Sequence, residues 1–169
     1  DKVNAVETMK VTTCLNPLHT ALAVYGCLLG HTLISAEMSD EELSTLVTKM
    51  AYEEGMPVVV DPGILDPKEF VNEVLTVRFP NPFMPDAPQR IATDTSQKLG
   101  IRYGETIKSY IKAEDKDPAT LKLIPLVQAG WLRYLLAVDD NGNEMACSAD
   151  PLLAASQEKL AGIKLGDTV

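Results

Sequence analysis

Aromatic residues make up only 5% of this 169-residue chain. That is too few for a core of stacked rings, so Leu, Val, Ile, Ala and Met must fill it, a palette that favours helices over a β-sandwich. The three cysteines, Cys14, Cys27 and Cys147, are odd in number and widely spaced. They form neither a disulfide framework nor a CxxC metal site, and read as buried thiols in a reducing cytoplasm. The two histidines, His19 and His31, fit no zinc motif, so no metal is expected. Lys and Arg number 15 against 24 Asp and Glu, a net charge of −9. Such a chain repels phosphate backbones, which excludes nucleic acid as a main partner. No apolar run approaches the ~18–20 residues that span a bilayer, and no signal peptide leads the sequence, so no membrane role is expected. GxGxxG and P-loop patterns are missing, and with them any nucleotide cradle recognisable from sequence.

What the chain does have is apolar substance, 46% of its residues, enough for the core of one domain over 1–169. Helix signals recur along it. Ser39 followed by Glu42 is a capping box, and "DEELSTLVTKMAYEEG" runs to Gly55 with Leu43, Leu46, Val47 and Met50 at helical spacing. Asp-Pro pairs at 66–67, 117–118 and 150–151 mark helix starts: Asp caps, and Pro fills the first turn, where its missing N–H is no loss. The second pair is predicted to open a stretch to Val138, kinked by Pro125. Further helices are predicted over Pro88–Leu99 and Arg102–Ala113, with a bend between Gly100 and Gly104. Strand signals are thin: "MPVVVDPG" is a short extended piece and "DDNGNEM" a turn. With no βαβ alternation and no internal repeat, the expected fold class is all-α, a single multi-helix domain.

Two polar groupings stand out. "KVTTCLNPLH" places Lys10, Asn16 and His19 where the most apolar helix begins. Their ordinary account is structural: Asn16 caps, Pro17 opens the helix, His19 bonds locally and Lys10 is solvated. In "PQRIATDTSQKL", Arg90, Asp94 and Lys98 are four apart. On one helix they form a surface ion-pair ladder worth about 0.3–0.5 kcal/mol per pair. The functional account is that an acidic chain has gathered cations to hold an oxygen-rich or anionic substrate.

These two segments also carry a resemblance. "ETMKVTTCLNPLHTALAVYGCLLGH" is similar to the opening of the C-terminal domain of the mannitol dehydrogenase family, the long-chain, zinc-independent polyol and hexuronate dehydrogenases. Met9-Lys10, Asn16, His19 and a helix ending at Gly30 carry the match. "RFPNPFMPDAPQRIATDTSQKL" resembles that family's second motif through Phe79, Asn81-Pro82, Arg90-Ile91-Ala92, Asp94, Ser96 and Lys98. The likeness covers residues 7–115; beyond them it is a match of helices only.

The resemblance implies the helical C-terminal domain of a 6-phosphogluconate-dehydrogenase-like protein. Its N-terminal Rossmann-type domain, absent from this chain, would bind NAD or NADP. It implies Lys10 as acid/base, Asn16 as donor to the reacting oxygen, and His19 as the group that orients Lys10 or binds a hydroxyl. Arg90 and Lys98 would hold the far end of a small sugar acid or polyol, with no metal. Arg102, one turn past Lys98, is placed either to help with a carboxylate or to be solvated. To act near pH 7, Lys10 needs burial and neighbouring cations, for which His19 and Arg90 are the candidates. The expected chemistry is hydride transfer between a ketouronate and an aldonate, with fructuronate and D-mannonate favoured. Mannitol or tagaturonate chemistry, or a non-catalytic helical binding or oligomerisation module, are the alternatives. The start without Met suggests a piece of a longer protein, inactive without its coenzyme domain.

Three departures from the family pattern bear on the site, one of them that the family's Asn-Gly-Ser-His form is Asn-Pro-Leu-His here, at residues 16–19. Five residues, Val11 to Leu15, separate Lys10 from Asn16 where four are usual, so a bulge or a shifted helix start must absorb one. Thr95 stands where glycine is usual.

Overall fold

The computed structural model describes residues 2–168. Among them are ten α-helices and no strand, only an isolated bridge between Val138 and Glu144 across the 139–143 turn. The all-α expectation therefore holds.

Helix α2 (Asn16–Leu29) is the axis of the domain. It is apolar nearly all round and buries Leu18, Ala21, Leu22, Ala23, Val24, Cys27 and Leu28, the signature of a helix wrapped by others. Fully burying a side chain such as Leu22 or Val24 is worth about 1.5–3 kcal/mol. Around α2 pack α3 (Ile34–Glu37), α4 (Glu41–Lys49), α6 (Pro88–Ile91) and α9 (Leu123–Tyr134). The helix stops at Gly30, whose φ of 77° is costly for any residue with a Cβ. Two of its neighbours approach through glycine. A Cβ on Gly130 of α9 would lie 2.6 Å from the Tyr25 ring, and one on Gly26 would lie 2.2 Å from Glu37 Oε1.

Preceding α2, α1 (Lys2–Met9) runs directly into a π-turn over Lys10–Cys14, where Leu15 N–H reaches back five residues to Lys10 C=O at 3.1 Å. This is the bulge that the extra residue before Asn16 called for. Similar wide turns extend α4 through Met50–Gly55, α5 (Pro67–Glu73) through Val74–Arg78, and α7 (Thr95–Leu99) through Gly100–Gly104 into α8 (Glu105–Lys112). The bend expected between the two glycines is thus a continuous helical segment.

Several expected boundaries shift for identifiable reasons. Asp40, not Ser39, caps α4, accepting Leu43 N–H. Asp66 caps α5 as expected, accepting Lys68 and Glu69 N–H. Asp117-Pro118 opens only a short 3₁₀ turn, Pro118–Thr120. Helix α9 begins later, at Leu123, so Pro125 sits in its first turn and kinks nothing. Its cap comes from far away: the Glu54 carboxylate accepts the N–H groups of Lys122, Leu123 and Ile124. The helix expected over Pro88–Leu99 is broken between α6 and α7 at Asp94, which is left-handed with φ 56°. Asp94 N–H goes to Ala149 C=O, and Asp150 takes the N–H and hydroxyl of Ser96. Asp150 thus anchors α7 while its chain leads to α10 (Leu153–Lys159).

Glu37, at the end of α3, is fully buried and neither carboxyl oxygen has a hydrogen-bond partner. Burial, with a smaller push from Asp40, raises its carboxyl to about 9.

Candidate active site

The first turn of α2 presents Asn16 and His19. Leu15 occupies the cap position with φ −137° and ψ −63°, and no side chain caps the helix there. Asn16 is therefore not the cap that the Asn-Pro pair suggested. Its carbonyl accepts Thr20 Oγ1–H at 2.9 Å, while its side-chain amide has no partner among the described residues. A half-buried amide with free donors at the start of a helix is available to an incoming oxygen.

His19 lies against the segment that follows α5. Its ring stacks on Phe79 at 5.3 Å with planes 25° apart. Nε2 faces Asp86 Oδ2 at 3.5 Å and makes no hydrogen bond. Burial depresses the imidazole to about 4; Arg78, Arg102 and Arg90 push the same way and Asp86 opposes them. His19 is consequently a neutral hydrogen-bonding ring at pH 7, not an acid.

The cations divide into two kinds. Arg90 is 65% exposed and pairs with Asp86 Oδ1 at 2.5 Å. The ladder Arg90–Asp94–Lys98 does not exist, because the helix is broken at Asp94. Lys98 turns inward instead and donates to the carbonyls of Ile91 (2.9 Å) and Thr93. Burial lowers its pKa, with Arg102 adding to the effect. Arg102 is half-buried, donates to Thr20 Oγ1 and the Asn16 carbonyl, and has no ion-pair partner among the described residues. Burial also lowers its pKa. Sequence reasoning missed Asp86, Arg78 and the stacking role of Phe79. The signal for Asp86 was there, since it stands four residues before Arg90.

Lys10 stands apart from this group. Its Nζ pairs with Glu7 Oε1 at 3.1 Å, and the side chain is 30% exposed. Neither His19 nor Arg90 is its hydrogen-bond or ion-pair partner among the described residues. A groove of about 510 Å³ runs past Glu7, Thr8 and Thr12 toward Ile101 and Ser109, and contains none of Asn16, His19, Arg90 or Lys98. No group of three or more His, Cys, Asp or Glu among the described residues is arranged to hold a metal.

The domain is all-helical, with a neutral imidazole, a free amide and clustered arginines at the mouth of its central helix. Residues 2–167 match the mannitol dehydrogenase C-terminal domain, and the chain belongs to that family. It is 59% identical over 167 residues to the D-mannonate oxidoreductase of Thermotoga maritima, covering 99% of this chain and 31% of that protein. It is 29% identical over 163 residues to the Escherichia coli D-mannonate oxidoreductase. Among solved structures it is similar to Pseudomonas fluorescens mannitol 2-dehydrogenase in a ternary complex with NAD and D-mannitol. That match has a TM-score of 0.83 and 26% identity, covering 95% of this chain and 31% of that one. The chain thus spans under a third of the length of these three proteins, which are an oxidoreductase or a dehydrogenase by name.

Proposed function

We propose that this chain is the C-terminal catalytic domain of an NAD(P)-dependent oxidoreductase that interconverts a ketouronate and an aldonate, fructuronate and D-mannonate. The observation that carries the reading is electrostatic. On a chain of net charge −9, Arg78, Arg90 and Arg102 all act on His19, with Asp86 the one carboxylate among the charges that do. A neutral polyol does not require such a field; a sugar carboxylate is held by it. Arg102, half-buried and unpaired, is the residue proposed to take the carboxylate, with Lys98 and Arg90 at its flanks.

The described residues contain no glycine-rich strand-to-helix turn to cradle a dinucleotide, so the coenzyme is assigned to the N-terminal domain and no residue here to its binding. When bound, a nicotinamide supplies or accepts the hydride. This chain supplies the proton half of the reaction. Asn16 donates its amide to the carbonyl oxygen as negative charge develops there, a contact whose loss typically costs about 10²–10³ in rate. Neutral His19 binds an adjacent hydroxyl. His19 is depressed to about 4 and neutral at pH 7, so it is given the hydroxyl, and Lys10 takes the acid/base role that the family resemblance implies. That role requires the Nζ that donates to Glu7 Oε1 to reach the substrate oxygen instead.

The test is a substrate panel on the protein joined to its coenzyme domain: fructuronate, tagaturonate, fructose and mannitol, each with both nicotinamides. Fructuronate is expected to give the highest kcat/KM, and Arg102→Met to lower it by about 10–100-fold while fructose stays within a few-fold. A higher kcat/KM on fructose or mannitol sinks the ketouronate assignment. Lys10→Ala is expected to lose at least ~10²-fold in kcat at neutral pH. Near-normal turnover in that variant would favour the rival reading, a helical module without chemistry, for which the exposed Glu7–Lys10 pair is the best support.

A further inference from the structure

Asp86 sits in the irregular segment between the Val74–Arg78 turn and α6. Its backbone is fixed from outside: its carbonyl accepts Ile34 N–H at 2.9 Å, from the far end of the α2–α3 connection. Nearby, Gln89 donates its amide to His31 C=O, so the segment is tied down at two points. The side chain is only 16% exposed, and its two oxygens face different partners. Oδ1 takes Arg90 and Oδ2 faces His19 Nε2. That Nε2 is buried and has no hydrogen-bond partner among the described residues.

We infer that Asp86 is a positioning residue: it holds the Nε2–H of neutral His19 and thereby presents Nδ1 as an acceptor to a substrate hydroxyl. The inference rests on the oxidoreductase reading above for its catalytic meaning, but not for its geometry. A neutral imidazole carries one proton, and the nitrogen facing a carboxylate is the one that keeps it. The 3.5 Å separation is long for a hydrogen bond, as catalytic contacts often are before a site is filled. Phe79 stacked on the ring restricts the flip that would turn Nε2 away from Asp86 and put a carbon in its place. Arg90 then acts through Asp86, steadying the carboxylate from its other oxygen. Around His19 the charged groups are Asp86, Arg78, Arg90 and Arg102. Asp86 alone among them can accept a proton-bearing nitrogen.

The chain has two histidines, so a His31→Gln background leaves a single imidazole to observe by ¹⁵N NMR. The parent is expected to show a ring N–H on Nε2, protected from solvent exchange. Asp86→Ala should speed that exchange at least tenfold. Asp86→Asn, whose carbonyl can still accept, should keep most of the protection and also covers the case in which the alanine variant does not fold. In the protein with its coenzyme domain, Asp86→Ala should lower kcat about tenfold or more, with Asp86→Asn recovering most of it. A role confined to packing would move stability in both variants without changing which nitrogen bears the proton. The inference is overturned by a proton on Nδ1 in the parent, or by unchanged exchange protection in a folded Asp86→Ala. If the parent turns over none of the four substrates, the oxidoreductase reading falls, while the ring N–H still decides for or against Asp86.

Discussion

Replacing Glu37 by glutamine is expected to remove most of the stability this domain loses as pH rises. Glu37 is fully buried, without a hydrogen-bond partner, and its carboxyl is raised from 4.5 to about 9, chiefly by burial. Below pH 4.5 both the folded and the unfolded chain hold the proton, and Glu37 makes no difference to stability with pH. Between 4.5 and about 9 only the folded chain holds it. Unfolding then releases a proton, and stability falls by about 1.36 kcal/mol per pH unit. At pH 7 the accumulated penalty is about 3 kcal/mol, an order-of-magnitude figure and a large part of a domain's usual margin. Glutamine keeps the shape and cannot ionise, although it leaves a buried amide with the same lack of partners. Urea denaturation of both chains at pH 5, 7 and 8.5 isolates the group, because every other titration is common to both. The variant is expected to be close to the parent at pH 5 and ahead by about 2–3 kcal/mol at pH 7, with the gap widening at 8.5. Parallel pH dependences in the two chains would refute the reasoning, by showing that the carboxyl finds water or a partner in solution.

Other expectations follow from the same contacts. Gly26→Ala puts a Cβ 2.2 Å from Glu37 Oε1 and 2.5 Å from its Cδ, and is expected to cost about 2–3 kcal/mol by urea denaturation. In a Glu37→Ala background that cost should drop by at least ~1 kcal/mol, and an undiminished cost would mean the clash lies elsewhere. Glu54→Gln leaves one oxygen where two accept three N–H groups of α9, and should cost at least about 2 kcal/mol; a change under about 0.5 kcal/mol would show that water replaces the cap. D-mannonate at ten times its dissociation constant should stabilise the domain by about 1.4 kcal/mol, visible as a rise of roughly 3–5 °C in Tm. Mannitol at the same concentration should give none, and Arg102→Met should abolish the mannonate effect.

The elements most legible in the sequence are those whose determinants are local. Asp66-Pro67 opens α5 because cap and capped N–H groups lie within three residues. Asp117-Pro118 carries the same signal and opens only a turn, because α9 takes its cap from Glu54, about seventy residues earlier in the chain. No spacing rule sees that. The single helix read over Pro88–Leu99 fails for the same reason. Asp94 is held left-handed where its N–H goes to Ala149, and Ser96 is claimed by Asp150. Both partners lie more than fifty residues downstream.

The site divides along the same line. That Asn16 and His19 stand side by side was legible because they share one helical turn. Lys98 was legible as a cation, but its turn toward the Ile91 and Thr93 carbonyls follows from the break at Asp94 and not from its spacing to Arg90. The break has a further consequence for the charges. An intact helix over 88–99 would have let Asp94 neutralise Arg90 and Lys98 together in a solvated ladder. With the helix broken, Arg90 reaches back to Asp86 and Lys98 folds inward. Arg102 is left half-buried on Thr20 and Asn16 with no carboxylate of its own. The left-handed residue at 94 therefore does more than interrupt a helix: it turns what would be a self-compensated surface row into a corner with an excess of positive charge beside a neutral imidazole. The sugar-acid carboxylate proposed above is a group whose size and flat geometry suit an unpaired guanidinium in such a corner.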